Sequence, residues 1–312
     1  MSISVIIPVY QAEKFIKKAV QSACTQDEVT EVVIVEDGSK DSSLDICESL
    51  VKQYSNVVKL FQHKGGINKG ISASRNLGIN KARGDFIAFL DADDYYLPER
   101  FKNDIDILKS NSDIDGVYNA LGVFIYDESE RGRVESDLTT LEKRIHPDNL
   151  FEEIVPIGTA GYFHGDGITV RKSIFEKVGM FDEDLKVTED THMWLKMAAK
   201  ASLVAGIIDQ PVAVRGVHEQ NSVKDRVQVK QYRLLMYTSL LDWANKNNIS
   251  VHRKRLIWER LYNAYVSSLV RIQKNPIVTK MKILRFLLKQ VFVNPYLLGY
   301  RPYVSAYWRD AI

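Results

Sequence analysis

Phe86-Ile87-Ala88-Phe89-Leu90-Asp91-Ala92-Asp93-Asp94 is an apolar run that stops abruptly in carboxylates. Such a run has the length of a strand buried on both faces, and the acids mark where it leaves the interior. Behind it lie a Gly84-Asp85 turn, a helical stretch from about Ile71 to Ala82, and the glycine-rich loop His63-Lys64-Gly65-Gly66. Further back, Val57 to Phe61, Glu31 to Val35 and Ile3 to Ile7 are three more short apolar runs, the first in the chain closed by Pro8. Between them, Glu13 to Cys24 places Phe15, Ile16, Ala19, Val20 and Ala23 on one helical face, and Asp41-Ser42-Ser43 caps a helix to about Tyr54. Strands alternating with helices predict βαβ units and an α/β, doubly wound, mostly parallel sheet.

Beyond Asp94 the pattern loosens. Pro98 sits near the start of a helix, Ile114 to Tyr126 reads as one strand, and Asp127 to Asp137 as a polar loop. Pro156 to Gly167 is rich in Gly and His, Ile168 to Arg171 is a strand, and Glu189 to Ala201 is a helix with acids at its start. Leu203 to Ile208 and Val212 to Val217 read as short strands. From about Asn221 the spacing turns helical, with candidates Tyr232 to Asn245, Val251 to Gln273 and Val278 to Val293. The chain divides at about residue 222.

The division is also electrostatic. Residues 223–312 hold 17 Lys and Arg against 4 Asp and Glu, leaving 25 against 36 in residues 1–222. An acidic front suits a cation; a basic back suits an anionic surface. With 312 residues, 45% apolar and 26% charged, the composition is that of a globular protein and excludes disordered or disulfide-framed classes. Cys24 and Cys47 lie in helical stretches without metal-type spacing, and the N-terminus has no basic region, so a reducing, cytoplasmic setting is expected. The longest apolar stretch, Ile283 to Val293, is broken by Arg285, Lys289 and Gln290, so no membrane span is expected.

In an open α/β sheet, ligands bind beyond the carboxyl ends of the strands. Those ends carry Pro8-Val9-Tyr10, Glu36-Asp37-Gly38-Ser39 and Asp91-Ala92-Asp93-Asp94. Crowded carboxylates repel unless a cation joins them, which makes the last group a candidate site for Mn2+ or Mg2+. Asp37 can accept a ring N–H such as that of uracil, and Tyr10 offers a face for stacking. A base, a diphosphate and a metal together describe a nucleotide-sugar site. No G-x-G-x-x-G follows the first strand and no G-x-x-x-x-G-K-[ST] exists, which argues against dinucleotide and P-loop sites. An aspartyl-phosphate D-x-D-x-T is also a poor match, because Thr is absent and the motif follows the fourth strand.

The sequence resembles an inverting family 2 glycosyltransferase of the GT-A fold. The matching stretches are Ser4 to Tyr10, Val33 to Ser39 with Asp41-Ser42-Ser43, Gly70 to Gly78, Ala82 to Asp94, Gly179-Met180-Phe181-Asp182-Glu183, Glu189-Asp190, and His218 with Asn221 and Ser222. They span about residues 2–222. The resemblance implies a donor-binding half (about 1–112) and an acceptor half (about 113–222); the basic helical region (223–312) lies beyond it. It implies that Pro8, Val9 and Tyr10 line the nucleobase and that Asp37, beside Glu36, accepts from its N3–H. Arg75 reaches the donor, Asp91 with Ala92 lies by the ribose, and Asp93 ligates the metal. Asp190 is then the general base, and His218 closes over the diphosphate or metal. Ser74 stands where the family usually has Ala, and Lys64-Gly65-Gly66 lengthens the preceding loop, which leaves Asn68 without an assigned role.

Each residue also has a plainer reading. Asp190 alone reads as a helix cap, Asp91 to Asp94 as a solvated helix start, Gly38 as a turn residue, Tyr10 as a core ring and His218 as structural. His164, Asp166, Glu189 and His192 are candidates for acceptor contact; His192 reads equally as solvent-facing. In the basic region, Ile283, Leu284, Leu287, Leu288 and Val291 suit packing on the catalytic domain or a homo-oligomer. Lys280, Lys282, Arg285 and Lys289, with the Tyr296 to Trp308 tail, suit peripheral contact with the inner face of a membrane. No nucleic-acid recognition motif accompanies the charge. The expected function is metal-dependent, inverting transfer of a sugar from a UDP-sugar to a glycan or lipid-linked acceptor in surface polysaccharide or glycoconjugate synthesis. A GDP- or dTDP-sugar donor and a non-catalytic nucleotide-binding scaffold are the rival readings.

Overall fold

Every residue of the first strand, β1 (Ile3–Val9), is buried, as a strand covered on both faces requires. The computed structural model describes residues 2–126, 129, 131, 138–219, 226–272 and 275–297. The chain separates into two units, Met1–Lys224 and Asp225–Ile312.

In the first unit, β1 is followed by α1 (Ile16–Cys24), β2 (Val29–Glu36), α2 (Ser43–Gln53), β3 (Val58–Gln62), α3 (Ile71–Lys81) and β4 (Phe86–Phe89). Next come β5 (Tyr95–Tyr96), α4 (Lys102–Ser110), β6 (Gly116–Tyr118), β7 (Leu121–Ile125), β8 (Leu138–Thr139), α5 (Pro147–Glu153) and β9 (Ile168–Arg171). The unit closes with α6 (Ile174–Val178), α7 (Glu189–Lys200), β10 (Leu203–Ala205) and β11 (Ala213–Val217). The main sheet has the order β10-β6-β9-β4-β1-β2-β3, and its β9 runs against both neighbours. A smaller sheet has the order β5-β11-β7-β8.

Alternation along β1 divides its side chains between two layers. Ile3, Val5, Ile7 and Val9 join the core that holds Ile16, Ala19, Val20 and Ala23 of α1 with Cys47 and Leu50 of α2. Ile6 points the other way, onto α3. A Cβ on Gly78 would come within 2.4 Å of Ile6 Cγ2, so only glycine lets that helix lie so close.

The single strand expected over Ile114 to Tyr126 is two. Residues 116–118 pair with β9 and β10 in the main sheet, whereas 121–125 pair with β8 and β11 in the smaller one. The step between them is Asn119-Ala120. The Asn119 amide donates to both Asp104 oxygens and to Gly167 O, and its own oxygen accepts from Ile207 N. Asp104 in turn accepts from Arg100 at 2.7 Å and from Thr169 at 2.6 Å, all within the interior. A fully partnered polar network of this kind fixes one arrangement of the chain. The expected loop over 127–137 lies largely outside the described residues.

The second unit contains α8 (Arg226–Lys246), α9 (Val251–Ile272) and α10 (Pro276–Val293). Asn275 Oδ1 caps α10 by accepting from Ile277 N and Val278 N, and Pro276 occupies the first turn. Ile283, Phe286 and Leu287 pack with Tyr262, Val266 and Leu269 of α9. Ile283 and Leu287 therefore have a partner within the unit, where the sequence reading placed them against the catalytic domain or a second copy. The expected tail lies outside the described residues from 298 onward.

Candidate functional site

The carboxyl ends of β2, β1 and β4 are neighbours. Val9 pairs with Glu36, Asp37 N donates to Val9 O at 2.8 Å, and Leu90 N donates to Ile6 O at 3.0 Å. The three motifs that follow these strands are thus brought to one edge, with Tyr10 exposed and Val9 and Pro8 buried behind it.

At the β2 end, Asp37 is buried and accepts from Lys69 N at 2.7 Å and Gly70 N at 2.8 Å. Its backbone oxygen accepts from the Asn68 amide at 2.9 Å. Asp37 thereby staples the loop before α3 to the sheet, and Asn68 takes part in the same staple. Gly38 has φ +71, and a Cβ there would meet Gly66 O at 2.7 Å, so this glycine serves both a turn and a close approach to the loop. Burial pushes the Glu36 carboxyl up, but hydrogen bonds from Ser39 and Gln62 outweigh it and hold the group below its ordinary value.

At the β4 end, Arg75 of α3 joins two distant parts of the chain. Its Nη2 donates to Asp91 Oδ1 at 2.8 Å and its Nη1 to Glu189 Oε1 at 3.1 Å. Although buried, the guanidinium is kept protonated by the charges of Asp91, Glu189 and Asp190. Burial and the neighbouring Asp190 raise the Glu189 carboxyl to about 7, against the pull of Arg75. Asp190 Oδ1 accepts from Thr191 N, within the first turn of α7. The helix cap is not an acid, as expected from sequence, but Thr188 in a left-handed conformation, φ 73, with no side-chain cap bond. Glu189 and Asp190 are the first two helical residues, which leaves Glu189 to turn toward Arg75.

Behind Asp91 lies a second layer. Asp166 is fully buried, and its Oδ1 accepts from Asp91 N at 3.0 Å. The Asp166 backbone oxygen accepts from Arg100 Nε and Nη2. Burial, then the Asp166 charge and a hydrogen bond with Asp166, push the Asp94 carboxyl well above its ordinary value. Burial alone would lower His164; the Asp166 charge raises it to about 9, and the ring stays cationic at neutral pH. Ligand atoms of Asp91, Asp94, His164 and Asp166 lie within 4.8 Å of one another. Asp93 Oδ2 meets His218 Nε2 at 3.0 Å. The His218 ring stacks on Phe15 with centroids 4.5 Å apart.

Residues 4–179 match the family described as Glycosyl transferase family 2. The chain belongs to that family. A relative, the minor teichoic acid biosynthesis protein GgaA of Bacillus subtilis, is 27% identical over 306 residues, which are 91% of this chain and 66% of GgaA. An uncharacterized glycosyltransferase of Rickettsia bellii is 32% identical over 209 residues, 64% of this chain and 28% of that protein. The chain thus spans between about a quarter and two thirds of the length of these two relatives. Among solved structures, S. aureus TarS 1-349 in complex with UDP-GlcNAc superposes with TM-score 0.65 at 19% identity, covering 91% of this chain and 80% of that one. Mannosyltransferase PcManGT from Pyrobaculum calidifontis, in complex with GDP-Man and Mn2+, gives TM-score 0.54 at 17% identity, with 99% and 85% covered. The family 2 chain therefore has a GT-A-like fold with helices after it.

The site brings together most of the residues singled out from sequence, in two clusters. Arg75, Asp91, Glu189 and Asp190 form one, extended inward by His164 and Asp166; Asp93 and His218 form the other. Two acceptor candidates are misplaced. Asp166 is sealed behind Asp91, so it supports the strand end rather than facing an acceptor. His192 is 2% exposed, with neither ring nitrogen hydrogen-bonded and its basicity lowered by burial to about 3. It sits inside because α7 is buried on every side from His192 to Ala199. Phe15 was not assigned from sequence, and Asp94, grouped there with Asp91 and Asp93 as a cation site, is buried. Asp94 carries no local signal that separates it from Asp93; Phe15 read only as part of an apolar helix face.

Proposed function

We propose that this family 2 chain is an inverting, metal-dependent glycosyltransferase that moves a sugar from a UDP-sugar to a hydroxyl of a glycan or lipid-linked acceptor in surface polysaccharide or glycoconjugate synthesis. The observation that carries the reading is the Arg75 bridge, which sets the carboxylates after β4 beside the carboxylates that open α7. A transferase needs a donor-holding group and a proton acceptor within one crevice, and a scaffold does not. The name of the GgaA relative and the UDP-GlcNAc in the TarS structure support the choice of glycan class and of UDP.

In this reading Tyr10 stacks on the base, and Asp37 uses the lone pairs left by Lys69 and Gly70 to accept from it. Asp190 takes the proton of the acceptor hydroxyl as it attacks the anomeric carbon. Glu189, near half-protonated at neutral pH, limits the negative charge beside that base. One in-line displacement inverts the centre, giving a β-linked product from an α-linked donor. The residues fit a divalent cation: hard carboxylate oxygens and an imidazole face the β4 end, and burial, with their mutual repulsion added, already raises Asp91, Asp94 and Glu189. Asp93 and His218, the outward pair, would hold Mn2+ or Mg2+ with Asp91. When bound, the ion neutralises charge on the departing diphosphate. The free Cys24 and Cys47 support a cytoplasmic setting.

The test is thermal stability with UDP, GDP, dTDP and CMP, each with and without Mn2+. Stabilisation by UDP that depends on Mn2+ is expected. Stabilisation by GDP or dTDP instead would keep the chemistry and change the donor. No shift with any nucleotide, in folded protein, would overturn the reading.

A further inference from the structure

Helix α10 has two apolar faces. One packs on α9, as described. The other, Ile277, Met281, Leu284, Leu288 and Phe292, is exposed at 68%, 66%, 48%, 63% and 89%. These residues follow one another at intervals of four, three, four and four, which keeps them on one stripe opposite Ile283, Phe286 and Leu287. At a rise of about 1.5 Å per residue the stripe is about 22 Å long. A continuous exposed stripe of this kind marks a contact surface.

The charge around it selects the occupant. The helix contains Lys280, Lys282, Arg285 and Lys289, all exposed, and no Asp or Glu. At about 100° per residue, Lys280 flanks the stripe on one side and Arg285 and Lys289 on the other. A second copy docked on this stripe would set cations against cations, since residues 223–312 carry 17 Lys and Arg against 4 acids. Helix pairing through apolar stripes favours opposite charges at the flanks, which α10 does not offer itself. No helix among the described residues is long and apolar enough to cross a membrane. An apolar stripe flanked by cations on a helix that cannot span is the pattern of one that lies in a lipid interface.

We propose that α10 docks on an anionic lipid surface, its axis in the plane of the interface, with Ile277, Met281, Leu284, Leu288 and Phe292 among the acyl chains. Lys280, Arg285 and Lys289 run their methylene stems along that boundary and place their charges at the headgroups.

The test is co-sedimentation of the full chain with vesicles of phosphatidylcholine alone or mixed equally with phosphatidylglycerol. It needs no donor or acceptor, so its failure would leave the transferase reading standing. The protein should partition to the mixed vesicles, release in high salt, and leave neutral vesicles largely in solution. Leu284→Glu with Leu288→Glu should lower partitioning at least about tenfold at an unchanged melting temperature. Arg285→Gln with Lys289→Gln should also lower it about tenfold, with a weaker salt response. Three outcomes would overturn the proposal: no partitioning of the unmodified chain, equal partitioning to neutral vesicles, or a dimer in sedimentation velocity that Leu284→Glu with Leu288→Glu dissolves.

Discussion

Arg75 Nη2 donates to Asp91 Oδ1 at 2.8 Å, and through this contact a helix between the third and fourth strands holds the carboxylate that ends the fourth. The same guanidinium reaches Glu189, 114 residues away in the chain. Removing it leaves Asp91 and Glu189 without their shared counter-charge. Arg75→Ala should destabilise the fold by about 3–5 kcal/mol in urea denaturation. Arg75→Lys should recover part of that stability, because the charge returns, but not donor binding, because a single ammonium cannot span both carboxylates.

Asp190 is the proposed base, and its replacement separates chemistry from binding. Asp190→Asn should lower turnover by about 10²–10⁴ while the thermal shift produced by UDP and Mn2+ stays as in the unmodified protein. Loss of both together would point to a binding role instead.

Glu189 predicts a pH dependence. Its folded-state value is raised from 4.5 to about 7, so between these values the unfolded chain gives up a proton that the folded chain keeps. Stability from this group is fully present below pH 4.5 and is lost as pH rises through about 7. The loss is at most on the order of 3 kcal/mol. Glu189→Gln should flatten the stability profile across that window, measured by denaturant titration in metal-free buffer.

Asp93 and His218 form the outward pair. Asp93→Ala should weaken the apparent Mn2+ affinity, read from the Mn2+-dependent part of UDP stabilisation, at least about tenfold. His218→Ala should weaken it less, and neither change should disturb the buried group around Asp166. A chelator should remove UDP stabilisation from the unmodified protein and have little effect on Asp93→Ala.

Asp94 and Asp166 are adjacent acids with opposite expected sensitivities. Burial and the Asp166 charge disfavour an ionised Asp94, so the neutral Asp94→Asn should change stability by no more than about 1 kcal/mol. Burial opposes charge at Asp166, but the His164 charge and the Asp94 hydrogen bond hold it ionised. Asp166→Asn removes the counter-charge of His164 and should cost about 1.5–3 kcal/mol. Paired denaturation curves decide this.

Much of this architecture was legible before any coordinates. Three of the first four strands, β1, β2 and β4, announced themselves as apolar runs ended by Pro8, Glu36 and Asp91, because a strand buried on both faces has no polar side to blur its limits. The regions after residue 110 were harder, since what decides them is not local. Nothing within Ile114 to Tyr126 says that Asn119 is held by Asp104, Gly167 and Ile207, yet those bonds turn one apolar stretch into strands of two sheets. His192 misled for the opposite reason. A polar residue one turn into a helix reads as surface, but α7 is enclosed on all sides, so its position rather than its type decided. The Glu36-Asp37 and Asp91 to Asp94 groups were found as motifs, while the division of labour among their carboxylates depended on distant partners: Asp166 before β9, Glu189 of α7 through Arg75, Gly216 of β11 and His218 just after it.

The smaller sheet bears on where this site can be altered. Its strand β5 begins directly after Asp94, its strand β11 ends directly before His218, and the two pair through Val214 with Tyr95 and Ala213 with Tyr96. A Cβ on Gly216 would meet Asp93 O at 2.6 Å. The spacing between Asp93 and His218 is thus set by backbone, in the manner of a caliper whose jaws are two side chains and whose hinge is a strand pair. Under the proposed metal role of Asp93 and His218, retuning the site for a different ion has little to gain from exchanging the jaws alone. The gap itself would be adjusted from the hinge, by changing which residue of β11 sits opposite Tyr95.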